Sequence, residues 1–206
     1  DPKQVKKAAQ LIKEASKPVI LAGHGVLISK ATSELKELAE KAQIPVITTL
    51  LGISCFPEDH VLWVGWPGMH GMAYSSLALD EADLIISLGM RFDDRITGNP
   101  KEFAASSKKI HVDIDPSEIG KNIPVDVPIV GDVKEVLIEL NKLIQPEVHN
   151  SWIRRIDQLK ENHPSLKLPH TDKLLARQVI KDLSDITDGE ATIVTGVGQH
   201  QMWAAQ

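Results

Sequence analysis

Pro18-Val19-Ile20-Leu21-Ala22-Gly23-His24-Gly25 is the stretch on which the fold turns. Its apolar run is too short for a helix core and stops at a glycine turn, the signature of a strand buried on both faces. Ahead of it, Asp1 has the character of an N-cap and Pro2 suits the first helical position. Val5, Ala8, Ala9, Ile12 and Ala15 then recur at helical spacing as one apolar stripe. Behind it, Leu35, Leu38, Ala39 and Ala42 mark a second helix, and Pro45 to Thr49 a second strand. The pattern continues with a helix from near Gly71 to just before Asp83 and strands at Asp83 to Leu88, Lys109 to Ile114 and Val127 to Val130. A helix at Val133 to Ile144 follows. Such alternation predicts an α/β fold: a doubly wound, mainly parallel, Rossmann-like sheet of five or six strands with helices on both faces.

Two regions interrupt the alternation. Leu50 to His70 is a long connection rich in Gly and Pro, and its Trp63, Trp66 and Met69 argue for function rather than disorder. Gln145-Pro146 marks a boundary, giving residues 1–145 as a nucleotide-binding type of domain and 146–206 as a second, incomplete unit. In the second unit, helices at Trp152 to Glu161 and Lys173 to Leu183 flank Pro164 and Pro169. A strand is expected from Ala191 to Val194, with the whole tail loosely attached. The chain ends Thr195-Gly196-Val197-Gly198-Gln199-His200-Gln201-Met202-Trp203-Ala204-Ala205-Gln206. A strand, a Gly-x-Gly turn and a polar restart are how α/β proteins present backbone N–H groups to a phosphate. The helix that should follow has no room to propagate, so Gln199 to Gln201 are expected to be mobile, and the chain reads as a piece of a longer protein.

Composition narrows the class. Of the 206 residues, 42% are hydrophobic and 25% charged, ordinary for a globular protein, and 4% aromatic content leaves the core to aliphatic side chains. A net charge of −5 without a basic run argues against a nucleic-acid partner. No apolar segment reaches the length of a membrane span. A single cysteine, Cys55, rules out an internal disulfide and fits a reducing compartment, so the expected setting is the cytoplasm. The eight histidines show no metal-ligand spacing, and no metal site is expected. Cys55 has no base beside it in sequence and reads as a packing residue.

In an open parallel sheet, ligands bind beyond the carboxyl ends of the strands. The five tips carry Gly23-His24-Gly25, Thr48-Thr49-Leu50, Gly89 to Arg95, Asp113 to Pro116 and Gly131-Asp132-Val133. Small, hydroxyl and charged residues at every tip suit a large polar ligand with phosphates lying across the sheet edge. Gly23-x-Gly25 is not a full dinucleotide fingerprint, because Ile28 stands at the third glycine and Thr48-Thr49 replace the ribose-binding acid. A plain strand-to-helix turn is the competing reading. Arg91-Phe92-Asp93-Asp94-Arg95 reads as a site or as a surface charge cluster, and His70 as a ligand contact or a turn residue.

Five segments in this order carry a more specific signal: Lys17 to Gly23; Gly68-Met69-His70-Gly71; Arg91-Phe92-Asp93-Asp94-Arg95-Ile96-Thr97-Gly98; His111-Val112-Asp113-Ile114-Asp115-Pro116-Ser117-Glu118-Ile119-Gly120-Lys121-Asn122; and Val197 to Trp203. Together they resemble the large catalytic subunit of the acetolactate (acetohydroxyacid) synthases, thiamine-diphosphate enzymes of branched-chain amino-acid biosynthesis. The resemblance spans essentially the whole chain and matches that family's central domain plus the start of its C-terminal domain. It implies FAD held in an extended pose across the sheet edge, with no net redox part in the carboligation. The implied FAD contacts are Gly23, His24, Gly25, Thr49, Leu50, Gly68, Met69, His70 and Gly71. They continue with Gly89, Arg91, Asp93, Arg95, Ile96, Asp113, Ile114, Gly131, Asp132 and Val133. Arg95 also resembles the arginine of the substrate channel. Val197, Gly198, Gln199 and His200 match the segment at the phosphate end of thiamine diphosphate. Two positions depart from the family pattern: His24, where a small residue is usual, and Trp66-Pro67 in place of Met-Leu.

The resemblance also implies what lies elsewhere. The activating glutamate belongs to the family's N-terminal domain and the magnesium ligands to sequence past the position of Gln206, so the chain by itself is expected to be inactive, to bind FAD weakly or not at all, and to bind no thiamine diphosphate. The implied parent condenses two 2-ketoacids with decarboxylation, using thiamine diphosphate and Mg2+, as a homo-oligomer with room for a regulatory subunit. A related flavin-containing thiamine-diphosphate enzyme (a pyruvate oxidase or glyoxylate carboligase) and a non-catalytic nucleotide-binding module remain the alternatives.

Overall fold

Helix α1 (Pro2–Glu14) opens the computed structural model, which describes residues 1–165, 168–169 and 171–206. The Asp1 carboxylate accepts the Lys3 amide at 2.9 Å, and Val5, Ala8 and Ile12 are buried. Then come β1 (Pro18–Ala22), the short α2 (His24–Ile28), α3 (Thr32–Lys41) and β2 (Val46–Thr48). A 3-10 turn at Leu50–Gly52 leads through the long loop to α4 (Ala73–Glu81), β3 (Leu84–Leu88), α5 (Asp94–Thr97), β4 (Lys108–Asp113) and β5 (Val127–Val130). Helices α6 (Val133–Leu143), α7 (Asn150–Asn162), α8 (Ala176–Ile186) and α9 (Gln199–Ala205) complete the described elements.

All five strands are parallel, in the order β2-β1-β3-β4-β5. Ile20 lies beside Val46 and Ile86, and Ile86 beside Ile110, so strand residues of one parity face the same side. On that side Ile20, Ala22, Ile86, Leu88, Ile110 and Val112 pack under α1, α3 and α6. On the other, Val19, Leu21, Ile47 and Ile85 meet α4 and α7. The doubly wound expectation therefore holds. Strand β5 is half-buried: Pro128 points outward at the sheet edge, where its missing N–H costs no ladder bond. The opposite edge is covered by the long loop, whose Leu62, Val64 and Gly65 exchange backbone hydrogen bonds of 2.8 to 3.0 Å with Val46 and Thr48. Covering an edge in this way blocks pairing with other chains.

The loosely attached tail does not hold for α7. Trp152, Ile156 and Leu159 are buried in the second core face. The Trp152 indole donates to the Pro18 carbonyl at 3.0 Å, Lys160 Nζ reaches the Trp63 carbonyl at 2.8 Å, and Arg155 forks onto Glu81 at 2.6 and 2.9 Å. Without α7, only α4 among the sheet-packing helices would cover Val19, Leu21 and Ile85, and the exposed apolar surface would be large. Past it, two further expectations are corrected. Ala191 to Val194 is not a strand: no described strand pairs with it, and Val194 is 89% exposed. A lone extended segment has no ladder to stabilise it. Conversely α9 does form. Ala205 packs against the core, Gln206 Nε2 donates to the His70 carbonyl at 3.2 Å, and the Arg177 guanidinium lies 5.4 Å from the Trp203 ring centroid. These tertiary contacts offset the nucleation cost that argued against the helix.

Trp152→Ala should lower unfolding free energy by about 3–5 kcal/mol in urea titrations, as expected for an emptied aromatic core site. The Arg155 hydrogen bond holds the Glu81 carboxyl below its ordinary value. A depressed folded-state pKa means stabilisation that is present above the unfolded carboxylate value and lost as pH falls through the depressed one. Glu81→Gln should remove that acid-side loss from the pH profile of stability.

Candidate functional site

The chain reverses direction across the sheet between β1 and β3, and there the backbones of two strand exits touch. The Gly23 amide donates to the Leu88 carbonyl and the Gly25 amide to the Gly89 carbonyl, both at 2.9 Å. A Cβ on Gly25 would lie 2.7 Å from Gly89 Cα, and one on Gly89, whose φ is +56, 2.6 Å from Gly25 Cα. A Cβ on Gly23 would strike the Gly89 carbonyl and Met90. The Gly-x-Gly turn is thus required by the strand-to-strand approach itself, which supports the plainer of the two sequence readings for Gly23.

Above this contact opens a cavity of about 600 Å³. Of the expected contacts, His24, Gly25, Thr49, Leu50, Gly89, Arg91 and Asp93 line it, as do Arg95, Ile96, Asp113, Ile114, Asp132 and Val133. Gly23 and Gly131 sit behind the wall. Gly68 is outside it too: its backbone, at φ +97, lies so close to the Arg95 carbonyl that no side chain would fit. Met69, His70 and Gly71 instead border a second, open cavity of about 390 Å³ with Arg177, Gln199, Met202 and Trp203. Val197, Gly198 and His200 line neither cavity, and Val197 is 94% exposed.

Ile28, Ser29, Leu51, Met90, Asp115 and Glu118 also line the main cavity, though none is among the contacts implied by the resemblance; Met90 and Asp115 lie within the strand tips read from the sequence. Ile28 and Ser29 sit one turn along α2 from Gly25, so a helix beginning at His24 was the missing signal. Asp115 follows Asp113 in a turn where its amide donates to Asp113 Oδ1 at 2.9 Å. The His24 Nδ1 lies 3.0 Å from the Leu51 carbonyl, which anchors the ring on the cavity rim. Trp66 is buried in the second core face, so that departure serves packing.

Arg91 and Arg95 stand at the β3 exit, 66% and 67% exposed at the side chain, with their nearest carboxylates, Asp93 and Asp94, 3.9 Å away. They are therefore solvated cations free to meet an anion. Phe92 between them is buried against Phe103 and His111 and fastens the segment to the core. Arg95 Nη1 also lies 3.7 Å from Met69 Sδ, which links it to the Gly68 loop. Asp113, Asp115, Glu118 and Asp132 line the same cavity at the β4 and β5 exits. Asp132 caps α6 by accepting the Lys134 and Glu135 amides at 2.9 and 3.3 Å. Hydrogen bonds from Ser117 hold the Asp115 carboxyl below its ordinary value. Cys55 is buried and its thiol is pushed up to about 12, so it supplies no thiolate. Among the described residues no group of three His, Cys, Asp or Glu side chains could hold a metal ion.

A parallel sheet ordered 2-1-3-4-5, with a cavity over its β1/β3 switch point, is the doubly wound architecture in which ligands lie beyond the carboxyl ends of the strands. The family model for the central domain of thiamine pyrophosphate enzymes matches residues 5–140, and the chain belongs to that family. It is 46% identical to the acetolactate synthase of Mycobacterium leprae, covering 99% of this chain and 34% of that protein. It is 47% identical to a probable acetolactate synthase large subunit of Methanocaldococcus jannaschii, covering 99% and 36%, and 44% identical to the large subunit of Cyanidium caldarium, also 99% and 36%. The chain thus spans about a third of the length of the curated relatives it matches.

Gly25→Ala should cost about 2 kcal/mol or more, since backbone must move to admit the methyl group. Gly131→Ala, whose Cβ would meet only Val136 Cγ2 at 3.5 Å, should stay within about 0.5 kcal/mol. Chemical denaturation of both variants checks the contrast.

Proposed function

We propose that this chain is the FAD-binding central part of an acetolactate synthase large subunit, with residues 146–206 leading into its thiamine-diphosphate domain. The observation that carries the proposal is the cavity at the β1/β3 switch point, lined by two arginines from the β3 exit and by carboxylates from the β3, β4 and β5 exits. Its volume and donor set fit an extended dinucleotide. The arginines can meet the diphosphate, Asp113 and Asp132 offer acceptors for hydroxyls, and Ile28, Leu51 and Ile114 present exposed apolar surface to a ring. Bound there, the flavin supplies structure and electrostatics, the carboligation needing no net redox step. In the parent protein, two 2-ketoacids would condense on thiamine diphosphate with Mg2+, and Arg95, turned toward Met69, would face the substrate channel.

The printed names of the relatives favour the synthase over a pyruvate oxidase or glyoxylate carboligase. "Large subunit" in two of those names supports a regulatory small subunit as partner, beside a homo-oligomeric core. A cytoplasmic setting is part of the same proposal; among the described residues no helix is long and apolar enough to cross a membrane. The segment Val197 to His200 does not fit thiamine diphosphate by itself, being exposed and without metal ligands beside it among the described residues.

Titration of the chain with FAD, followed by flavin fluorescence, should show saturable but weak binding, with a Kd of about 10 µM or weaker because the cavity is open. Arg91→Ala should raise that Kd about tenfold and Arg95→Ala less than about threefold. An absence of saturable binding, or equal losses in both variants, would overturn the assignment of the cavity or of the two arginines. Calorimetry with thiamine diphosphate and Mg2+ should show no binding to the chain alone, and a micromolar affinity would contradict the reading of its last residues.

A further inference from the structure

The two ends of the segment His111 to Asn122 are left without a role by the nucleotide reading, and both act on the same short stretch. His111, in the middle of β4, is fully buried between apolar neighbours, Ile110 and Val112. Its Nε2 lies 2.9 Å from the Met90 carbonyl, while its Nδ1 has no partner. Burial holds the ring below the ordinary histidine value, so it is neutral; with a carbonyl as acceptor, the proton sits on Nε2 and Nδ1 is a bare acceptor. Leaving a buried acceptor unpaired is unfavourable, and valine or leucine would fill the same strand position without that cost. The compensating gain must lie at Nε2.

That gain is the backbone of Arg91. Asn122 Nδ2 donates to the Phe92 carbonyl at 2.7 Å, so the carbonyls on either side of Arg91 are each held by a side chain from the β4 region. The Phe92 ring meets the His111 imidazole edge-on at 5.1 Å between centroids, closing the arrangement from below. Arg91 itself keeps a free side chain, with only Asp93 at 3.9 Å. We propose that His111 and Asn122 are positioning residues: they fix the backbone on both sides of Arg91, so that its guanidinium meets an anionic ligand in the main cavity from a preset place. This rests on the nucleotide reading of that cavity. An arginine displayed from an ordered backbone loses less freedom on binding than one on a mobile loop, which is the origin of the expected gain.

The test separates the device from the ligand. Two-dimensional NMR of the imidazole should show the Nε2–H tautomer, and backbone 15N relaxation of the ligand-free chain should show Arg91 and Phe92 as rigid as the strands. His111→Leu keeps the apolar volume but removes the donor, and His111→Gln restores an N–H at the Nε2 position. His111→Leu should lose that rigidity and weaken FAD binding about five- to tenfold, whereas His111→Gln should restore the rigidity and bring FAD binding to within about twofold. Asn122→Ala, on an exposed loop residue that tolerates the change even if His111→Leu fails to fold, should likewise weaken FAD and loosen Phe92. Wild-type backbone rigidity and affinity in Asn122→Ala and His111→Leu, or a His111→Gln as impaired as His111→Leu, would overturn the proposal. If the unmodified chain shows a rigid backbone at Arg91 and Phe92 but no FAD binding, the nucleotide reading falls while the bracing of Arg91 stands.

Discussion

Contact between two glycine-bearing strand exits is the constraint from which the rest of the site follows. Gly25 and Gly89 approach so closely that neither can carry a Cβ, and two backbone hydrogen bonds join their exits. This brings β1 and β3 together at the one place where consecutive connections leave the sheet in opposite directions. On one side of it α2 leaves β1, and on the other the Arg91 segment and the Asp113 and Asp132 turns line the cavity as an arginine bank and a carboxylate bank. A side chain at either glycine would push the banks apart and move every lining group with them.

The banks differ in how they are built. The arginine bank is short, exposed and pinned from below: Phe92 plugs into the core and the carbonyls flanking Arg91 accept from His111 and Asn122. Its positive charges are free because their acidic neighbours are 3.9 Å away and solvated. The carboxylate bank is ordered by its own backbone, with Asp113 and Asp132 each accepting main-chain amides that end a strand or begin a helix. Such groups are locked before any ligand arrives, which is the usual way a sheet edge becomes a specific polar site.

The second face of the sheet shows why domain edges are hard to read along a chain. Gln145-Pro146 does end α6 and its connection, as the Pro suggests. Yet α7, past that break, supplies Trp152, Ile156 and Leu159 to the face that α4 alone cannot cover. Sequence punctuation reports where a helix stops. Which helix covers which apolar face depends on the area left bare by the others, a property of the assembled sheet.

Strands β1 to β5, the helices α1, α3, α4 and α6, the Asp1 cap and the polar strand tips were legible because each rests on local periodicity or on a single backbone preference. So was the line of cavity residues from His24 to Val133, since a parallel sheet must end its strands on one side. What lay beyond reach depended on distant partners. The Gly23 turn serves strand contact, the loop near Trp63 covers the β2 edge, and His111 braces Arg91 from the middle of an apolar strand. Ala191 to Val194 has strand composition but no pairing partner, and α9 forms only because Ala205, Gln206 and Trp203 find contacts elsewhere. Composition and periodicity alone determined that this chain makes a parallel α/β sheet with a polar edge. The tertiary structure decided which backbones touch, which helix closes the second face and which polar atoms lack partners, because those outcomes turn on the distance between residues far apart in the chain.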